Sequence, residues 1–335
     1  MTKFSTFLGA SALALMAGGA LAQDAGPAVI FDLGGKFDKS FNEAAFAGAE
    51  RWSEETGQDY AEFELTAEAQ REQAIRRFAE AGNNPVIMVG FMSATPLSDI
   101  APDYPDTKFV IVDAVVDQPN VRSVVFNEHE GSYLVGLLAG TASESGTVGF
   151  VGGMDIPLIR KFACGYAQGV KAANPDATVL ANFTGTTPAA WNDPAKGSEL
   201  TLAQIGQGAD VIFAAAGGTG VGVLQTAADE GVYSVGVDSN QNYMHPGSVL
   251  TSMIKRVDNA VFDVCQAVAQ NKFEPGARVF GLKDEGVGLS EMKYTRDKVP
   301  ADVLARVDAL KQQIIAGTLK PPATLDELPA FQPPK

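Results

Sequence analysis

Carboxylates and a lysine stand where apolar runs of this 335-residue chain end. Asp32 closes a run that begins at Ala28 and meets Gly34-Gly35, Asp113 follows the run 108–112, and Asp238 follows the run 233–237. A carboxylate just past a buried strand can accept two hydrogen bonds from ligand hydroxyls, or it can cap the next turn. Either Asp113 or Asp238 alone permits both; two at equivalent strand ends favour a ligand. Lys255 ends the segment 249–254 and reads either as facing the same region or as a solvated lysine. Asp38-Lys39-Ser40-Phe41-Asn42 brings free backbone N–H groups, an aromatic ring and an amide to a helix start, which makes a recognition corner. The plainer alternative is that Asp38 and Ser40 cap the helix while Phe41 fills the core. In the polar loop Trp191-Asn192-Asp193-Pro194, the indole either anchors the loop to its own lobe or stacks on a planar ligand.

Catalytic motifs are missing. Phe37 after Gly35-Lys36 breaks any Walker A loop, and the residues after Gly217-Gly218-Thr219-Gly220 do not complete a dinucleotide fingerprint. There is no G-x-S-x-G elbow. With only His129 and His245, there is neither H-E-x-x-H nor a Cys/His cluster for zinc. Carboxylates alone could still do acid–base work, but no spacing asks for it. A binding protein without metal or cofactor is expected, rather than an enzyme.

For these residues to meet, the strands must present their ends together. The grammar is strand, helix, strand, helix, in two blocks. The first has strands over 28–33, 60–65, 85–89, 108–113 and 123–126, and a helix over 40–55 with a Ser40/Glu43 capping box and Gly57 past its end. A helix including 135–142 leads out of it. The second has strands over 147–151, 178–183, 210–215, 233–237 and 249–254, with helices over 157–173, 195–207, 221–230 and 258–270. Such alternation implies parallel sheets covered on both faces, with ligands beyond the carboxyl ends of the strands. Roughly 310 residues after a leader exceed one typical core, so two α/β domains are expected.

The leader itself is read over residues 1–22: Lys3, an apolar stretch to Leu21, and Ala20-Leu21-Ala22 before Gln23. No Cys follows the cleavage point, so a free, unlipidated periplasmic protein is expected. Removing Lys3 leaves 24 basic against 40 acidic residues, or −16, which disfavours nucleic acid and anionic lipid surfaces. Cys164 and Cys265 read as buried thiols, with a bridge between them left open.

Several segments follow one another in the order of a known family. They are Asp38-Lys39-Ser40-Phe41-Asn42, Lys108-Phe109-Val110-Ile111-Val112-Asp113, Glu130-Gly131-Ser132-Tyr133-Leu134-Val135-Gly136, Gly149-Phe150-Val151-Gly152-Gly153, Gly217-Gly218-Thr219-Gly220, Gly236-Val237-Asp238 and Ser252-Met253-Ile254-Lys255. Together, over roughly residues 28–285, they resemble the basic membrane protein (Bmp/PnrA-like) family of ABC-importer substrate-binding proteins. The resemblance implies a type I periplasmic-binding-protein fold, two doubly wound lobes joined by a hinge: 28–140 plus 256–283, and 141–255 plus 284–320, before a Pro-rich tail over 321–335. It implies a purine nucleoside ligand (adenosine, guanosine or inosine) delivered to an ABC permease and its ATPases. The sequence carries no oligomeric signal, and a monomer is what a cleft that closes on its ligand requires. Phe41 and Trp191 would sandwich the base, Trp191 standing where many relatives carry Phe. Asn42 and Asp113 would bond the base, and Asp238 and Lys255, paired, the ribose, with Asp38 and Gly217 nearby. The chain departs from the family name in being neither basic nor lipidated. Riboflavin or another planar heterocycle is the alternative ligand, and an exported nucleoside-processing enzyme the alternative class.

Overall fold

The computed structural model describes residues 25–330; the expected leader and the last five residues of the tail lie outside them. Two six-stranded sheets organise the chain. The first lobe contains β1 (Ala28–Phe31), α1 (Phe41–Thr56), β2 (Ala61–Glu64), α2 (Arg71–Glu80), β3 (Val86–Met88), α3 (Ala94–Ile100), β4 (Phe109–Val112) and β5 (Val121–Phe126). After α4 (Glu128–Ala142) the second sheet begins: β6 (Thr147–Met154), α5 (Pro157–Ala173), β7 (Thr178–Gly185), α6 (Pro194–Ile205), β8 (Val211–Ala215), α7 (Gly220–Asp229), β9 (Tyr233–Asp238) and β10 (Val249–Lys255). The chain then returns through α8 (Val257–Ala269) and β11 (Gly276–Phe280), and ends with β12 (Val287–Leu289) and α9 (Ala301–Ile315).

The strand orders are β11-β5-β4-β3-β1-β2 and β12-β10-β9-β8-β6-β7, so each sheet repeats one winding. Every pairing is parallel except β10 with β12. Central strands such as β1, β4 and β8 are apolar throughout because helices cover both faces. At the edge, β2 alternates instead, with Glu62 and Glu64 exposed. The strand order reverses between β1 and β3, and again between β6 and β8, which opens a crevice at each switch point.

Sequence reasoning passed over β11, β12 and α9. An exposed edge strand, Gly-Ala-Arg-Val-Phe, lacks apolar continuity, and β12 has three residues. Helix α9 did carry a signal, since Val307, Leu310 and Ile314 fall on one buried stripe. The Ser40/Glu43 capping box does not form. Ser40 makes no side-chain bond to its helix; the Asp38 carboxylate accepts instead from the N–H groups of Ser40, Asn42 and Glu43. Cys164 and Cys265 are free and buried, so no bridge joins α5 to α8.

The chain passes between the sheets after β5, after β10 and between β11 and β12. These crossings lie side by side: Asn127 N donates to Phe280 O (2.8 Å) and Arg256 N to Gly286 O (2.8 Å). Helix α4, just past the first crossing, packs on α5 through glycines. A Cβ at Gly169 would stand 2.0 Å from Tyr133 O, and one at Gly136 2.2 Å from Tyr166 O. The backbones therefore touch, and any side chain forces them apart. Gly169→Ala is expected to cost about 1–3 kcal/mol by thermal unfolding. Gly288→Ala, where nothing lies within 4 Å, should change stability by less than about 0.5 kcal/mol. Equal effects would refute the close helix contact.

Candidate functional site

The carboxyl ends of β1, β3, β4, β8, β9 and β10 converge on one cavity between the sheets. It holds about 600 Å³ of space, the solvent-open mouth included. Asp38, Phe41, Asn42 and Asp113 reach it from the first lobe, and Trp191, Gly217, Asp238 and Lys255 from the second. All of the residues singled out from the sequence are therefore brought together. Phe91 and Phe162 also line it and were not foreseen, since an aromatic after a strand or in a helix reads first as core.

At the floor lies the Lys255 ammonium, with its side chain 2% exposed. It donates to Asp113 Oδ2 at 2.7 Å across the lobes, and Glu128 Oε1 lies 3.1 Å away at an angle that makes that contact Coulombic. The rings of Phe41, Phe126 and Phe162 stand 5.1–5.6 Å from it. Burial alone would lower the lysine's pKa, but Asp113, Glu128 and Asp238 outweigh it and hold the ammonium above the ordinary value. The expected partner was Asp238. Instead, Asp238 Oδ2 accepts from the Ser40 hydroxyl at 2.5 Å, because the Ser40 backbone approaches the end of β9 directly.

That approach continues outside the cavity. Ser239 Oγ donates to Ser40 O (3.0 Å) and Gln241 Nε2 to Lys39 O (2.9 Å). These bonds, with Lys255–Asp113, join the first sheet to the second, so the cleft stands closed.

Asp113 and Asp238 share a further property: both are non-glycine residues in the left-handed region, at φ 71° and 63°. This conformation costs on the order of 1 kcal/mol or more, and here it ends a strand with the carboxylate turned towards the cleft. Asp113 Oδ1 is buried without a hydrogen-bond partner, an acceptor left for a ligand donor. Burial, partly offset by Lys255, raises the Asp113 carboxyl to about 6. Burial also raises Asp38 to about 7, against three backbone N–H groups that favour its anion. Asp238 is raised for the same reason, with Lys255 and the Ser40 hydroxyl opposing.

Asp32, at the end of β1, has a counter-ion within its own lobe: Arg71 Nη2 donates to Oδ1 at 2.8 Å. Its backbone occupies Asn42, whose Oδ1 accepts from Asp32 N (3.1 Å) while Nδ2 donates to Asp32 O (3.3 Å). One Asn42 N–H remains for a ligand. Trp191 packs within its own lobe and also reaches the cavity. Its indole lies over Gly153, where a Cβ would come within 2.1 Å, and it also faces the cavity, edge-on to Phe91 at 6.5 Å. Gly217 adopts φ 56° and leaves room for the Trp191 backbone.

Similarity to known proteins covers nearly the whole chain. The family model described as ABC transporter substrate-binding protein PnrA-like matches residues 27–323. A CD4+ T-cell-stimulating antigen of Listeria monocytogenes is 34% identical over 88% of this chain and 87% of its own. The ABC transporter nucleoside-binding protein BmpA of Lactococcus lactis is 31% identical, covering 91% of each chain. The crystal structure of an ABC transporter solute-binding protein from Aeropyrum pernix superposes with a TM-score of 0.84 at 29% identity, over 91% of this chain and 95% of that one. The fold is thus the type I periplasmic-binding-protein fold of two doubly wound lobes. A Pyrococcus furiosus relative, 32% identical over 86% of this chain and 79% of its own, is named an uncharacterized lipoprotein. That name runs against the expectation of a chain without a lipid anchor.

The raised carboxyls make closure sensitive to pH. The closed form binds protons that an open, solvated cleft releases, so closure is favoured below the ordinary carboxylate value near 4. This preference is lost as pH rises through Asp113 at about 6 and Asp38 at about 7. The ligand-free protein should therefore open as pH rises from roughly 5 to 8, seen as a growing radius of gyration in X-ray scattering. The combined Asp38→Asn, Asp113→Asn variant should show a flatter response. A radius that holds constant in the unsubstituted protein would sink this assignment.

Proposed function

Because the chain belongs to the PnrA-like family of ABC transporter substrate-binding proteins, we propose that it captures a purine nucleoside, adenosine, guanosine or inosine, for import. One combination carries this reading: an aromatic face from each lobe, Phe41 and Trp191, in the same cavity as the strand-end carboxylates Asp113 and Asp238. A flat base needs apolar faces, and ribose hydroxyls need acceptors. Asp113 was expected to meet the base; its bond to Lys255 assigns it, in this proposal, to the ribose end instead, together with Asp238 from the end of β9. Asn42, with its one spare N–H, reads the base alongside Phe41. The nucleoside-binding name of the lactococcal relative supports the same class.

The ligand first meets one lobe of an open cleft, and closure adds the contacts of the other. It shifts the population by its extra affinity for the closed form alone. The closed receptor then docks as a monomer on an ABC permease, and ATPases drive import. In this reading a cleavable leader over 1–22 would export it to the periplasm; among the described residues no helix is long and apolar enough to cross a membrane. A scavenging receptor needs micromolar to nanomolar affinity, about −8 to −12 kcal/mol.

The charge of the cavity also sets what is refused. Its carboxylates outnumber its one ammonium, which is already twice engaged, so a 5′-phosphate would meet repulsion without a counter-ion. A free base would leave the sugar acceptors unpaired. Calorimetry should give heat with a purine nucleoside and none with its 5′-monophosphate or free base. No heat with any nucleoside would remove the proposal, and heat with riboflavin alone would replace the ligand.

Asp238→Ala should weaken nucleoside binding by about 1.5–3 kcal/mol, the worth of hydrogen bonds to a charged acceptor. Asp193 instead caps α6, its carboxylate accepting from Lys196 N at 2.9 Å. Asp193→Ala should therefore lower thermal stability by about 1 kcal/mol and leave affinity nearly unchanged. Equal affinity losses in the two variants would mean that the ribose assignment is wrong.

A further inference from the structure

Glu128 lies outside the cavity lining, yet it is wholly buried at the first crossing, where α4 begins. Its Oε1 stands 3.1 Å from Lys255 Nζ, and its Oε2 3.3 Å from Lys161 Nζ. Lys161 comes from α5 and also donates to Phe126 O (3.2 Å), the last residue of β5. Lys255 ends β10 at the second crossing. The Glu128–Lys255 contact therefore ties one crossing to another, directly behind the wall of the site.

We propose that Glu128 is a positioning residue of the binding site, acting through Lys255 to set the charge against which Asp113 meets a ligand. The ammonium sits between two carboxylates, Asp113 ahead of it and Glu128 behind. Asp113 thus keeps one oxygen on Lys255 and the other, Oδ1, buried and unpaired. Were Glu128 neutral, the whole ammonium charge would fall on Asp113 and Asp238, and the ammonium would lose its rear anchor. The charged or titratable groups facing this cluster are Asp113 from β4, Asp238 from β9, Lys161 from α5, and His129, next to Glu128 on α4. Asp238 acts only at longer range, through its charge. The negative charge of Glu128 is one of the causes that raise the Asp113 carboxyl, after burial and the opposing Lys255.

Two substitutions should move Asp113 in opposite directions. Glu128→Gln removes a neighbouring anion, so the Asp113 carboxyl should titrate at lower pH. Lys161→Gln leaves Glu128 less neutralised, so it should titrate at higher pH. The measurement is carbon-13 NMR titration of the Asp113 carboxyl in the ligand-free full-length protein, with thermal unfolding alongside. An Asp113 titration that stays in place in a folded Glu128→Gln protein would overturn the proposal. So would a loss of stability alone, which a merely structural glutamate would also produce. If Glu128→Gln does not fold, Lys161→Gln decides by itself, since that side chain is 30% exposed and its replacement leaves Glu128 in place. There, an absent or downward shift refutes the proposal. Adenosine affinity should fall about tenfold in Glu128→Gln, a loss of about 1.4 kcal/mol. That arm rests on the nucleoside reading, whereas the titration needs no ligand, so failure of the one is distinguishable from failure of the other.

Discussion

An ammonium with a side chain 2% exposed cannot remain charged inside a protein unless carboxylates meet it, and Lys255 is such a group. It stands at the end of β10, where the chain leaves the second lobe. Its hydrogen-bonded partner, Asp113, belongs to the first lobe, and Glu128 begins the helix that follows the other crossing. The charge is therefore satisfied fully only when the two sheets stand as they do here. Binding geometry and lobe closure share this contact, but burying the Asp113 carboxylate costs more than Lys255 returns, which is why closure weakens as that group ionises.

The topology explains why such a pair is available. Each sheet carries the same strand order, and each therefore opens a crevice beyond its carboxyl ends. With the two sheets facing, the strand ends of both lobes meet across one space, and residues far apart in sequence become neighbours. Ser40 and Asp238, separated by 198 positions, hydrogen-bond directly. The second lobe holds its shape through the α4–α5 contact, whose glycines bring backbones together and leave little freedom for sliding.

Inside the cleft, acceptors dominate. Asp113 and Asp238 are turned inward by left-handed backbone, and burial raises both carboxyls. Asp38 combines two duties that had seemed alternatives: it caps α1 through three N–H groups and also lines the cavity. Trp191 likewise anchors its loop over Gly153 while facing the space where a ligand would lie. In a compact site a side chain has two faces, and a structural role on one does not remove it from the other.

The alternation of apolar runs and amphipathic helices was enough to specify two parallel-sheet lobes, because buried strands must be continuous and apolar. It gave no sign of Phe91 or Phe162 in the cavity. It put Asp113, Asp238 and Lys255 at strand ends, beyond which ligands lie in such sheets, but left each of them a second reading as a cap or a solvated residue. Chain order could not determine the pairing among them. Lys255 meets Asp113 and Glu128 rather than Asp238, and Ser40 meets Asp238 rather than its own helix, because those distances depend on how one lobe is set against the other. Glu128 was invisible for the same reason. A glutamate in the first turn of a helix reads as a solvated residue, and only the convergence of β5, β10 and α5 buries it beside a charged lysine.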